Sequence, residues 1–204
     1  MTDWTKIEVP QFMELVLEDE DSRILVGRIV IDRLPYTFET KKQYFTWRDE
    51  LAEGIQVDAR DIIIVGSAAT GRSLSAKKKF GVFGSKSDVD IAVVSSRHFD
   101  IAWQWFRRVN VNLLNLDDEG LRLFEQHRKQ YIFNGMIAAN YFLNYLPFGT
   151  SWVQELQRCE KYLPSVLRGR KMSVRIYKDN EALREAQMAA LNGYRTYLAA
   201  KKGS

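Results

Sequence analysis

The run Asp61-Ile62-Ile63-Ile64-Val65, cut off by Gly66-Ser67, constrains the fold more than any other feature of this chain. Four consecutive β-branched residues are stiff, poor helix formers and read as a buried strand. A loop holding Gly71, Gly81 and Gly84 follows, and then a second strand is predicted at Ser87-Asp88-Val89-Asp90-Ile91-Ala92-Val93-Val94. Side chains alternate across a strand, so Asp88 and Asp90 project from one face while Val89, Ile91 and Val93 pack from the other.

Helical patterns surround this pair. Residues 1–35 read as two short helical stretches around a polar break at Glu18–Ser22, with Phe12, Leu15 and Val16 on one stripe and Ile24, Leu25, Ile29 and Ile31 on the next. Thr40–Gly54 is predicted as an amphipathic helix capped by Thr40, with Tyr44, Trp47 and Leu51 inward. Phe99–Arg108 has helical spacing, and a long helix is predicted from Asp117 or Asp118 to Leu146, ended by Pro147. Ser151 with Gln154 opens another to about Leu163. Met172–Tyr177 reads as a third strand, and Asp179 caps a last helix whose stripe is Leu183, Gln187, Ala190, Leu191, Tyr194 and Leu198, before a frayed tail at Lys201–Ser204. The expectation is a mixed α/β (α+β) fold, helix-rich, in a single domain over 1–204. A helical N-terminal segment (1–54) and a helical block (99–167) before the last strand are expected to pack on the sheet.

Composition narrows the class. An apolar share of 46% with 12 Gly and 4 Pro is that of a globular chain, not a disordered one. No apolar run approaches the ~20 residues a membrane span needs, and the start Met1-Thr2-Asp3-Trp4-Thr5 lacks an export pattern, so a cytoplasmic protein is expected. The single cysteine, Cys159, excludes an intramolecular disulfide framework and a cysteine-built zinc site. His98 and His127 have no second histidine or cysteine at ligand spacing. The net charge of +4 is mild, but Arg72, Lys77, Lys78, Lys79 and Lys86 lie between Asp61 and Asp88 with no acid among them, and Arg168, Arg170, Lys171 and Arg175 form a second cluster. Such blocks are solvated loops or footprints for phosphate-rich partners, nucleic acid included.

The chemistry gathers at the first two strands. Two carboxylates held on one strand face repel unless a cation lies between them, and hard oxygen ligands suit Mg²⁺ or Mn²⁺. Gly66, Ser67, Gly71 and Ser73 offer backbone N–H groups and hydroxyls to phosphate oxygens. Arg72 lies in the same loop and is the expected phosphate cation. Together these are the parts of a phosphoryl- or nucleotidyl-transfer site.

Gly66-Ser67, Gly71-Arg72-Ser73 and Ser87-Asp88-Val89-Asp90 resemble the signature of the polymerase-β-type nucleotidyltransferase superfamily, over about 33 positions from Ile62 to Val94. The resemblance implies a small mixed sheet of the nucleotidyltransferase type. It implies that Ser67 contacts a nucleoside triphosphate while Asp88 and Asp90 bind the catalytic metals. It also implies transfer of a nucleoside monophosphate to a hydroxyl on protein, RNA, a small molecule or another nucleotide, in the toxin–antitoxin, antibiotic-modifying or phage-defence settings of small members. The chain departs from the pattern twice. Ser75–Lys86 reads as an inserted basic loop. The position that the family gives to a third carboxylate, flanked here by Val174 and Ile176, is Arg175, which neither ligates a cation nor accepts a proton. Two readings therefore stand: a metal-dependent nucleotidyltransferase, or an inactive relative that senses nucleotide or serves as an antitoxin-like or regulatory partner, with Arg175 replacing the cation. A nucleic-acid accessory using Lys77–Lys86 and Arg168–Arg175 is a third.

Overall fold

The computed structural model describes residues 9–17, 21–75 and 78–202. Within them the fold is mixed α/β, built on four strands: β1 (Ile62–Val65), β2 (Val89–Val94), β3 (Met136–Ala138) and β4 (Met172–Tyr177), in the spatial order β1-β2-β4-β3. β1 runs antiparallel to β2, with Val65 opposite Asp90. β2 runs parallel to β4, placing Ser173 opposite Asp90 and Arg175 opposite Ala92. The short β3 closes the other edge of β4, antiparallel.

The pleat sorts the strands onto two cores. Ile62, Ile64, Val89, Ile91, Val93, Val174 and Ile176 point to one side. There they meet α3 (Lys41–Ile55), α5 (Ser96–Arg108), α6 (Asp118–Gln126) and α7 (Gly149–Cys159), which contribute Trp47, Phe106, Phe124 and Trp152. Ile64 and Ile91 are wholly buried, and each contributes about 1.5–3 kcal/mol relative to an exposed side chain. Ile63, Val65, Ala92, Val94 and Tyr177 point to the opposite side, under α1 (Val9–Leu17), α2 (Ser22–Val26) with its π-helical extension to Ile31, and α8 (Asn180–Lys202). Among the described residues no helix is long and apolar enough to cross a membrane.

Local chemistry explains the helix starts. The Thr40 hydroxyl accepts from the Gln43 amide (3.2 Å), Asp117 Oδ1 from Gly120 (2.8 Å) and Asp179 Oδ1 from Ala182 (2.8 Å), each satisfying a donor that the first helical turn leaves open. α7 begins at Gly149, two residues before the predicted Ser151.

The long helix expected from Asp117 to Leu146 does not form. α6 ends at Gln126, a π turn runs from His127 to Tyr131, and Gly135 at φ +66° turns the chain into β3. The Met136–Ala138 backbone finds its partners on β4. The His127 ring fixes this corner: Nδ1 donates to the Leu123 carbonyl (2.7 Å) and Nε2 accepts from the Ala138 amide (3.1 Å). The helical block thus contains the sheet's edge strand. The Met1–Thr5 start, most of the Glu18–Ser22 break, Lys77 and the last two residues lie outside the described residues.

Candidate functional site

The site grows from the end of β1. Gly66 sits at φ +66°, ψ −151°, a conformation that side chains with a Cβ rarely adopt. A methyl built on it would lie 2.7 Å from Asp90 Oδ2, so glycine is also what lets the strand end abut that carboxylate. The single turn α4 (Ser67–Thr70) follows, buried throughout, and the Thr70 hydroxyl lies 2.7 Å from the Arg72 carbonyl and 3.1 Å from that of Gly66.

Four charges converge on the mixed face of the sheet. Asp90 and Arg175 leave neighbouring strands on the same side, one diagonal step apart in the ladder, a separation of about 7–8 Å along the backbone. Asp88 lies one residue before β2, and Lys78 Nζ stands 3.3 Å from its Oδ2. Burial raises the Asp90 carboxyl above the usual carboxylate range; Arg175 and Lys78 pull it back in part, and Asp88 pushes it further up. Burial opposes the charge on Arg175, but the Tyr177 hydroxyl and Asp90 outweigh it and the guanidinium is held more firmly protonated. The Tyr177 side chain is itself fully buried; its hydroxyl faces Arg175 and Gln187 without a well-formed hydrogen bond.

Of these groups Lys78, Asp90 and Arg175 border a cavity of about 310 Å³. Gly66, Ser67, Ser73, Ser75, Lys78, Asp90, Arg175 and Gln187 are its polar lining, and Val65, Leu74, Ala186 and Ala190 its apolar lining. A second cavity of about 290 Å³ shares Ser67, Ser73 and Lys78 and extends over Gly81, Gly84, Ser85, Lys86 and Ser87. A larger hollow of about 360 Å³, between α5 and Pro147, contains none of the candidate residues.

The described residues of the basic loop, 78–86, are tied to the rest of the fold. Phe80 is 5% exposed, stacks on Tyr197 (4.4 Å) and meets Tyr194 at a tilt (5.0 Å), both on α8. Arg72 Nη1 donates to the Phe80 carbonyl (2.9 Å), and Arg72 pairs with Val82 as an isolated bridge, so the expected phosphate cation serves the loop and borders neither cavity. Arg170 Nη1 donates to the Gly84 (2.6 Å) and Ser87 (3.0 Å) carbonyls; Arg168 donates to those of Leu163 and Lys161. Much of the second basic cluster is therefore tied to backbone. Lys79 and Lys86 stay exposed.

Gly66, Ser67, Ser73, Asp90 and Arg175 are thus brought together, with Asp88 beside them behind Lys78. Sequence reasoning missed Lys78 as a lining residue and missed the α8 wall, where Gln187 had the spacing of a core stripe. Asp88 and Asp90 are the residues a divalent ion would need. Lys78 already stands on one and Arg175 beside the other, so two cations balance two carboxylates. No group of three or more His, Cys, Asp or Glu able to hold a metal occurs among the described residues. Two carboxylates are what a protein commonly offers Mg²⁺ when substrate phosphates complete its shell, and Lys78 and Arg175 are the cations that compete for them here. Comparison with protein-family models, curated proteins and solved structures found no match.

Proposed function

We propose that this chain is a nucleotide-binding protein of nucleotidyltransferase-like build that holds a nucleoside triphosphate without transferring it, and so acts as a sensing or regulatory partner. The observation that carries the reading is Arg175. It shares a sheet face and a cavity with Asp90, where transfer chemistry needs a group able to take a proton from the attacking hydroxyl. A guanidinium does not accept that proton. Ser67, Ser73 and Lys78 still offer hydroxyl and ammonium donors to phosphate oxygens.

The test is direct. Each of the four ribonucleoside triphosphates is titrated by calorimetry, and α- and γ-labelled forms are incubated with the protein and Mg²⁺ or Mn²⁺. The expected result is saturable binding with no pyrophosphate release. Release that Asp88→Asn abolishes would establish the metal-dependent transferase instead. Absence of binding for all four would remove the nucleotide reading altogether.

A further inference from the structure

We infer that this chain carries an anion site outside the Gly66 cavities, fitted to a single phosphate group, in the corner between the π-helical extension of α2 and the first turns of α3. The proposal is independent of the nucleotide reading. A hollow of about 200 Å³ lies there and shares no lining residue with either cavity beside Gly66. Arg33, Lys41 and Arg48 bring three cations to its lining, and Asp32 brings the one carboxylate. Tyr44 and Phe45 give it an aromatic side, and Ile31 and Leu34 complete it. Tyr44 is buried, and its hydroxyl accepts from the Ile64 amide of β1 (3.3 Å), which ties this lining to the sheet.

The cations are held in place, and their hydrogen-bonding capacity is not used up. Arg33 is 3% exposed, with its Nε on the Leu34 carbonyl (3.1 Å), so a guanidinium is built into the lining itself. Arg48 lies over the Tyr44 and Phe45 rings, 5.1 and 5.6 Å from their centres. Stacking serves the faces of a guanidinium and leaves its N–H groups to find acceptors. Arg48 Nε is buried with no hydrogen-bond partner among the described residues. Asp61 faces Arg48, yet neither Arg48 nor Lys41 forms an ion pair among those residues. Lys41 is also the first residue of α3, whose opening turn has no acid, so it stands at the positive end of the helix dipole. Three like charges against one carboxylate repel unless an anion joins them. The donors are guanidinium and ammonium groups, which suit an acceptor-only oxyanion. The volume is below the roughly 300–1,000 Å³ of sites for drug-sized ligands, and so fits one phosphate group rather than a nucleotide.

The experiment is an NMR titration of the ¹⁵N-labelled full chain with inorganic phosphate, glycerol 3-phosphate and sodium chloride at matched ionic strength. It is run at about pH 7.5, above the second pKa of about 6 of a phosphate monoester. The amides of Asp32, Lys41, Tyr44 and Phe45 are expected to shift saturably with either phosphate, with Kd about 1 mM. Lys78→Ala, at the Gly66 cavities, should leave these shifts as they are. Arg48→Gln should weaken phosphate binding about tenfold and the exposed Lys41→Ala about threefold, while Arg48→Lys restores only part because the fork is lost. The same spectra show whether each variant is folded, and Lys41→Ala carries the test if Arg48→Gln is not. Tighter binding of glycerol 3-phosphate supports the site as a seat for a phosphate borne on an organic molecule, and tighter binding of inorganic phosphate supports it as a seat for the free ion. Three results overturn the proposal: chloride shifting the same amides equally, phosphate affinity unchanged in the folded variants, or phosphate shifts confined to the residues around Ser67 and Lys78. None of the three bears on whether a triphosphate binds beside Gly66, which the calorimetry decides separately.

Discussion

The two faces of the sheet are built from the same strands to different rules. Toward α3, α5, α6 and α7, β1, β2 and β4 send Ile, Val and Met172, and nothing polar. Toward α8, the same three strands send Val65, Ala92 and Tyr177, but also Asp90, Ser173 and Arg175. The difference teaches where stability and recognition reside. A dry face repays burial without specifying a ligand; a face with half-buried charges gives up some of that gain and acquires groups that need partners.

The sharpest way to break this division is Ile91→Ala, on the dry face. It is expected to destabilise the protein by about 3 kcal/mol in urea unfolding while leaving triphosphate affinity per folded molecule unchanged. An equal loss of affinity would show that the faces are not separable. Gly66→Ala, on the other face, comes next. The positive φ and the close Asp90 oxygen predict a loss of about 2 kcal/mol, and here affinity should fall further than stability does.

Acid supplies the third test. Burial lowers the His127 pKa below the ordinary histidine value of 6.5, against the raising effect of its Leu123 and Ala138 hydrogen bonds. The unfolded chain then binds the proton more readily than the native one. The stability this group contributes is present above about pH 6.5 and is lost as the pH falls through the folded-state value, by at most about 1.4 kcal/mol per pH unit. His98, lowered first by burial and then by Arg97, acts in the same sense. Melting curves between pH 7.5 and 5 (roughly the histidine range) should show the decline, and His127→Gln should flatten it. The smallest effect on stability is expected from Lys78→Ala. Its ion pair with Asp88 is half exposed, so unfolding should shift by no more than about 0.5 kcal/mol, while affinity for every triphosphate drops.

The sequence was readable where a pattern is local. The stiff Ile62–Val65 run, the alternation that aims Asp90 and Arg175 to one side, and the caps at Thr40, Asp117 and Asp179 all depend on near neighbours. What stayed hidden depends on partners far along the chain. Residues 117–146 have apolar spacing that suits one helix, but Met136–Ala138 is claimed by β4, whose edge no short window reveals. Arg72 had the place of a phosphate ligand, and a folded loop took its guanidinium for the Phe80 carbonyl. Gln187 kept core spacing and was buried, yet its helix borders the cavity.

The parallel pairing of β2 with β4 has a consequence for how the molecule comes into being. Its register joins Val89 to Met172, across about two fifths of the chain, and such a ladder forms only after a large entropic closure. While residues beyond 170 are still inside a ribosome, the emerging polypeptide has its acidic half and its serine turn but no guanidinium opposite. The cavity's pairing of opposite charges is therefore completed only once synthesis has passed β4.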